Sequence, residues 1–296
     1  MAIETGFLFE GEEMKTKGVL ELMLTALLSL GLLWGVFYPA PLEAAMGDGV
    51  AFYGTDAGGS TPQHRDYTVS SGNWSAEGTT VVAANTIQYT IIRANPQVDE
   101  YVAGVVDDSG NLYIYTCAAG AWTQDWSLLL YAAAGTYEPF DVEFERDTGD
   151  CMVVYSTGST LAELAYRMKI DGAWQGSATT FSSALTTGIV RYIELEPRPN
   201  SDEIALAFSD ANSDLSVFIW SGSAWGSEPT VAISTAIDYQ DYRGFDIAYE
   251  QQSGDVLVAY GISGVSGCGL ARKGSGSTTW LKTDDEGALL DRAAGI

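Results

Sequence analysis

Seven carboxylates carry the first suggestion of chemistry in this chain. Asp141, Glu143 and Glu145 alternate with apolar residues in FDVEFE, so an extended strand would project all three from one face. Glu194, Glu196, Asp246 and Glu250 follow in comparable settings. Two carboxyls set roughly 5 to 9 Å apart are the machinery of a glycoside hydrolase, one serving as acid and the other as nucleophile or base. A functional pair should break any repeat, because an active site needs unlike groups at one place. These acids obey a repeat instead. YEPFDVEFERDTGDCMVVYS (137–156) is echoed by DYRGFDIAYEQQSGDVLVAYG (241–261), so Asp141 recurs as Asp246 and Glu145 as Glu250. The expected role is structural, with carboxylates bonding backbone, Tyr or Arg groups of neighbouring units. No catalytic residue is assigned, and a glycoside hydrolase or lyase stands as the alternative reading.

Asp210, Asn212 and Asp214 in DANSD have the every-other-residue oxygen spacing that opens a calcium loop. The Gly and the later Glu of such a loop are missing, so a hairpin turn competes with calcium there; no other cofactor is expected. His64 is the only histidine and lies in the polar stretch GGSTPQHRD, which reads as a solvated loop. Cys117, Cys151 and Cys268 are odd in number and widely spaced, which forms neither a disulfide framework nor a zinc site. GSGSTTW (274–280) lacks the Asp of the sialidase-type S-x-D-x-G-x-T-W box. Trp126, Trp220, Tyr239 and Tyr242 are candidates for sugar-stacking platforms, in competition with packing between units.

The composition narrows the partners. Asp and Glu number 39 against 14 Lys and Arg, a net charge of −25, which repels phosphate backbones and argues against nucleic acid. It suits an exported protein kept soluble by an acidic surface, with an extracellular glycan or protein as partner.

The elements that position these residues come from an internal repeat. Tryptophans close successive units at Trp74, Trp122, Trp174, Trp225 and Trp280, three of them as GAW (120–122), GAW (172–174) and SAW (223–225). Before each of the last four lies an acid followed by a strand-like run: EYVAGVV, DCMVVYS, EIALAF and DVLVAY. Within one unit, FDVEFE, CMVVYS, ELAYRMKI and AWQGSATT read as four strands, with a hairpin at Asp171–Gly172. Four antiparallel strands per unit of about 50 residues is the pattern of a β-propeller blade. The expected fold is all-β, a propeller of five blades over residues 46–296, or six if a further unit follows. Two unit types alternate, because RANPQVDEYVAGVVDDSGNL (93–112) matches EPRPNSDEIALAFSDANSDL (196–215) and not the units between. The tail DRAAGI (291–296) aligns with LTTGIV (185–190), where the first strand of another unit would begin.

The signatures YRGFD-x-AYE-x-x-SGD-x-LV-x-YG and G-x-x-W resemble those of uncharacterised β-propeller repeat proteins of the exported, cell-surface type, over roughly residues 48–280. The resemblance implies an exported propeller and no particular activity.

Residues 19–38, VLELMLTALLSLGLLWGVFY, form a twenty-residue apolar run behind Lys15 and Lys17. The run is long enough to cross a bilayer as a helix, and Ala44 and Ala45 stand where a signal peptidase would cut. Residues 14–45 are thus expected to be a signal peptide or a membrane anchor helix, and residues 1–13 a mis-called start ahead of Met14. KGVLEL also resembles a prepilin leader, although Glu21 is the third residue after Gly18 where bacterial type IV pilins place it fifth. That resemblance implies a filament subunit with a propeller head.

Overall fold

The computed structural model describes residues 49–54, 59–80, 85–131, 134–158, 162–226, 233–237, 242–264 and 267–282. The expectations for residues 1–45, for Tyr239 and for the tail 291–296 fall outside them. Among the described residues the fold is all-β, with one 3-10 turn at Ala134–Thr136 and no α-helix.

Five antiparallel sheets follow one another along the chain. The first holds β1 (Gly49–Tyr53), β2 (Gln63–Thr68), β3 (Asn73–Trp74) and β4 (Gly78–Thr79). The second holds β5 (Ile87–Ala94), β6 (Glu100–Asp107), β7 (Asn111–Ala118) and β8 (Ala121–Leu129). The third holds β9 (Phe140–Phe144), β10 (Cys151–Ser156), β11 (Glu163–Ile170), β12 (Ala173–Trp174) and β13 (Thr179–Ser182). The fourth holds β14 (Val190–Pro197), β15 (Ile204–Asp210) and β16 (Leu215–Trp220), and the fifth β17 (Phe245–Tyr249), β18 (Val256–Gly261), β19 (Cys268–Lys273) and β20 (Trp280–Lys282). Among the described residues, four unbroken strands per unit occur only in the second and fifth sheets. In the first and third the outer edge is split, β3 and β4 both pairing β2, and β12 and β13 both pairing β11. In the fourth sheet that edge is reduced to bridges, Trp220 to Trp225 and Leu215 to Ser234.

The turns follow local chemistry. Asp171 and Gly172 take φ of 49° and 77°, as a two-residue hairpin between β11 and β12 demands. Ala119 and Gly120, with φ of 49° and 76°, do the same between β7 and β8.

Strands such as β10, buried at every position, need cover on both faces. Consecutive sheets supply it by packing face to face. Val102 and Ile114 of the second sheet meet Phe140 and Val153 of the third. Met152 and Val154 then meet Ile193 and Leu206 of the fourth, and Ala205 and Val217 meet Ile247 and Val258 of the fifth. Phe52 of the first sheet packs with Tyr113 and Tyr115 of the second. The first strands of the last four sheets also neighbour one another, β5 with β9, β9 with β14 and β14 with β17. Successive propeller blades pack in this way.

The two unit types differ in backbone as well as in sequence. β5 and β14 share a bulge, between Ile87 and Tyr89 and between Val190 and Tyr192. β9 and β17 have none, and pair Phe140 with Tyr155 and Phe245 with Tyr260. The first sheet matches the third: Tyr67 pairs Trp74 as Lys169 pairs Trp174, and Gln63 pairs Thr79 as Ala165 pairs Thr180.

His64 is not a loop residue. It lies on β2, with its ring 5.5 Å from that of Trp122. QHRDYT has no apolar alternation, which hides the strand from a hydrophobic pattern.

Candidate functional site

The acids of β9 are spent on the neighbouring sheets. Asp141 is buried; its Oδ2 accepts the Leu195 N–H of β14 at 2.8 Å, and its Oδ1 lies 3.6 Å from Arg93 Nη2 of β5. Glu143 accepts Arg93 Nε at 2.9 Å and lies 3.7 Å from Arg146. Glu145 accepts the indole N–H of Trp220 at 2.6 Å and the Thr148 hydroxyl at 2.6 Å. The third sheet is thereby tied to both the second and the fourth. Burial raises all three carboxyls, and carries Asp141 to about 7 against the opposing pull of Arg93.

A second carboxyl cluster joins β14 to β17. Burial pushes Glu194 up to about 9, helped by a hydrogen bond to Asp246 and opposed by Arg243. Glu194 Oε2 is shut from solvent and has no hydrogen-bond donor in reach. Two carboxyls can bond only if one keeps its proton, and the raised Glu194 supplies it. Arg243 Nη1 closes the cluster, 3.6 Å from Glu194 Oε1 and 3.5 Å from Glu138 Oε2. Retaining glycosidases hold their carboxyls about 5 Å apart and inverting ones further, to admit a sugar or a water. Here Arg243 occupies the place beside Glu194, 3.6 Å from its Oε1. Glu196 is also raised, chiefly by burial, while exposed Glu250 is held down by the N–H groups of Ser253 and Gln252.

The DANSD residues form a turn lock. Asp210 accepts the backbone N–H groups of Thr187, Gly188, Asn212 and Asp214. Asn212 donates to the Thr187 hydroxyl, which donates to Asp214. Asp107 does the same work in the second sheet, accepting Ser109 N–H, Asn111 N–H and the Asn85 amide. The two positions correspond, since Asp107 pairs Ile87 as Asp210 pairs Val190. Among the described residues no three His, Cys, Asp or Glu side chains converge as a metal site. Cys117 and Cys151 are buried and free, and Cys268 is exposed.

The repeated tryptophans sit between sheets. Trp122 stacks on Phe52 at 5.2 Å, Trp174 meets Trp126 edge-on at 5.6 Å, and Trp225 stacks on Phe181 at 5.2 Å. In each the indole nitrogen is buried without a hydrogen-bond partner. Of the proposed platforms, Trp220 is buried at 4% exposure; Trp126 packs half-buried on the core between the second and third sheets beside Trp174, and its indole nitrogen is likewise unpaired. Tyr242 is exposed. The unpaired indole nitrogens escaped sequence reasoning because Trp220, which is paired, looks the same in sequence.

No family model matches the chain, and no curated protein does. Among solved structures it is similar to the BP39L lectin from Burkholderia pseudomallei, at 16% identity over 82% of this chain and 69% of that one, TM-score 0.47. A lectin from Aleuria aurantia, in complex with Fucα1-6GlcNAc, matches at 14% identity over 84% of this chain and 81% of that one, TM-score 0.47. AofleA from Arthrobotrys oligospora matches at 11% over 80% and 68%, TM-score 0.47. Overlaps this loose bear on neither site nor ligand.

Proposed function

We propose that the chain is an exported β-propeller that binds an extracellular glycan without chemically altering it. The observation that carries this reading is the threefold recurrence of one arrangement: Trp122, Trp174 and Trp225, each in an aromatic cluster between sheets, each with an unpaired indole N–H. A buried donor left unpaired costs about 1–3 kcal/mol, which a sugar hydroxyl entering as the aromatic cluster opens would relieve while the sugar's C–H face stacks on the ring. Like sites on successive sheets suit multivalent binding, where affinity multiplies without new contacts. The inner acids support the same reading, because each of Asp141, Glu143 and Glu145 is already engaged.

The finer architecture we infer is six sheets. Met152 and Val154 on the third sheet are fully buried by the fourth. Their counterparts in the fifth sheet are Leu257, which is exposed, and Ala259, which is half-buried, and Leu281 beside them is exposed. Trp74 is 51% exposed on the first sheet, where its counterpart Trp174 packs on the second. One sheet of the second-and-fourth type would cover both faces. Among the described residues no helix is long and apolar enough to cross a membrane; export and anchoring rest on residues 14–45.

Trp174→Phe keeps the ring and removes the donor. The test is retention on immobilised glycans, with thermal unfolding as the control for fold. Retention lowered tenfold or more by Trp174→Phe at unchanged melting temperature supports the reading. A protein ligand with no glycan retention overturns it.

A further inference from the structure

We propose that the cleft between the first and second sheets binds a small organic ammonium ion. The cleft is open to solvent, holds about 170 Å³, and is lined by Asp66 and Tyr67 of β2, by Asp99 and Tyr101 around the start of β6, and by Cys117 near the end of β7.

It opens where the repeat is broken. Cys117 pairs Tyr101 as Trp220 pairs Ile204, and Asp66 precedes the Tyr67–Trp74 pair as Met168 precedes Lys169–Trp174. Between the third and fourth sheets the corresponding place is full. Trp220 lies with its ring 5.5 Å from Tyr166 and its indole on Glu145, and Met168 and Ile204 are buried in the same cluster. Between the first and second sheets the indole is replaced by a thiol. The freed space is not refilled with apolar atoms; Met gives way to Asp and Ile to Tyr.

The lining fixes the charge of the occupant. No Lys or Arg borders the cleft. The nearby cation Lys169 is already taken by Glu100, at 2.5 Å. Asp202, the counterpart of Asp99, accepts the N–H groups of Asp147 and Thr148. Among the described residues no donor reaches the carboxylate of Asp99 or of Asp66. Both acids bear on one point, because after burial itself they are the charges that raise the Cys117 thiol. Two solvent-exposed carboxylates beside two half-buried tyrosines and the buried Cys117 suit an alkylammonium head, held by charge and by the rings. The volume admits a quaternary ammonium group. A chain of net charge −25 also steers cations toward it.

Isothermal titration of the full chain with choline, beside its neutral isostere 3,3-dimethylbutan-1-ol, tests the proposal. Saturable choline binding at least tenfold tighter than the alcohol is expected. Asp99→Asn and Asp66→Met, each checked by thermal unfolding, should each weaken it about tenfold, and Trp174→Phe should leave it unchanged. Absence of saturable binding overturns the proposal. So does equal affinity for the alcohol, affinity unchanged in both Asp variants, or displacement of choline by CaCl2 at lower concentration.

Discussion

The carboxylate of Asp141 on β9 accepts the backbone N–H of Leu195 on β14 at 2.8 Å, a bond from the first strand of one sheet to the first strand of the next. Asp141→Ala leaves that buried N–H without its partner, while Arg93 keeps its 2.9 Å bond to Glu143. The expected cost is about 3 kcal/mol, since a buried group stripped of its partner bears its full desolvation penalty. Asp246 fills the same repeat position but is exposed, so Asp246→Ala should cost about 1 kcal/mol or less. Urea denaturation of both variants checks the contrast, and equal losses would contradict it.

Stability should fall as pH rises from about 5 to 9. Asp141 moves from 3.8 to about 7 and Glu194 from 4.5 to about 9. A raised carboxyl keeps a proton that the unfolded chain has already released, so its contribution is complete below the unfolded value and is lost as pH climbs through the folded one. Asp107 acts oppositely: hydrogen bonds from Asn85 and Asn111 outweigh burial and lower it, so its share is lost in acid. Melting temperatures, taken in salt high enough to screen the net charge, should peak at mildly acidic pH. Glu194→Gln should flatten the alkaline limb; a wild-type profile that rises from pH 5 to 9 would refute the assignment.

Asp210 should behave as a turn lock. Its four backbone N–H partners predict a loss of about 2–4 kcal/mol in Asp210→Ala. Millimolar calcium should leave the wild-type melting temperature unmoved. A rise of several degrees on adding calcium would instead support the metal reading of Asp210, Asn212 and Asp214.

Some of this was legible from local patterns and some was not. FDVEFE and CMVVYS are a readable hairpin because their alternation and turn residues are local. The Asp171–Gly172 turn is readable for the same reason. The engagement of Glu145 by Trp220 spans 75 positions and depends on which sheet lies beside which. The Glu194–Asp246 bond likewise exists only once β14 and β17 are adjacent. β2 was missed because its residues are polar. The cleft was missed because Cys117 means little until register sets it against Trp220.

The N-terminal reading has its own test. Peptide sequencing of the native protein should find no residue upstream of Met14, with the mature chain beginning after Ala45 or retaining residues 14–45 as an anchor. A peptide from residues 1–13 would contradict the assigned start.

The most direct test of the central claim measures binding and cleavage together. The full chain is incubated with a panel of immobilised and soluble polysaccharides, and both retention and newly released reducing ends are followed. The account predicts retention on at least one glycan, diminished by Phe at Trp122, Trp174 and Trp225, with no release of reducing ends. Release of reducing ends that Glu194→Gln or Asp246→Asn abolishes would contradict it.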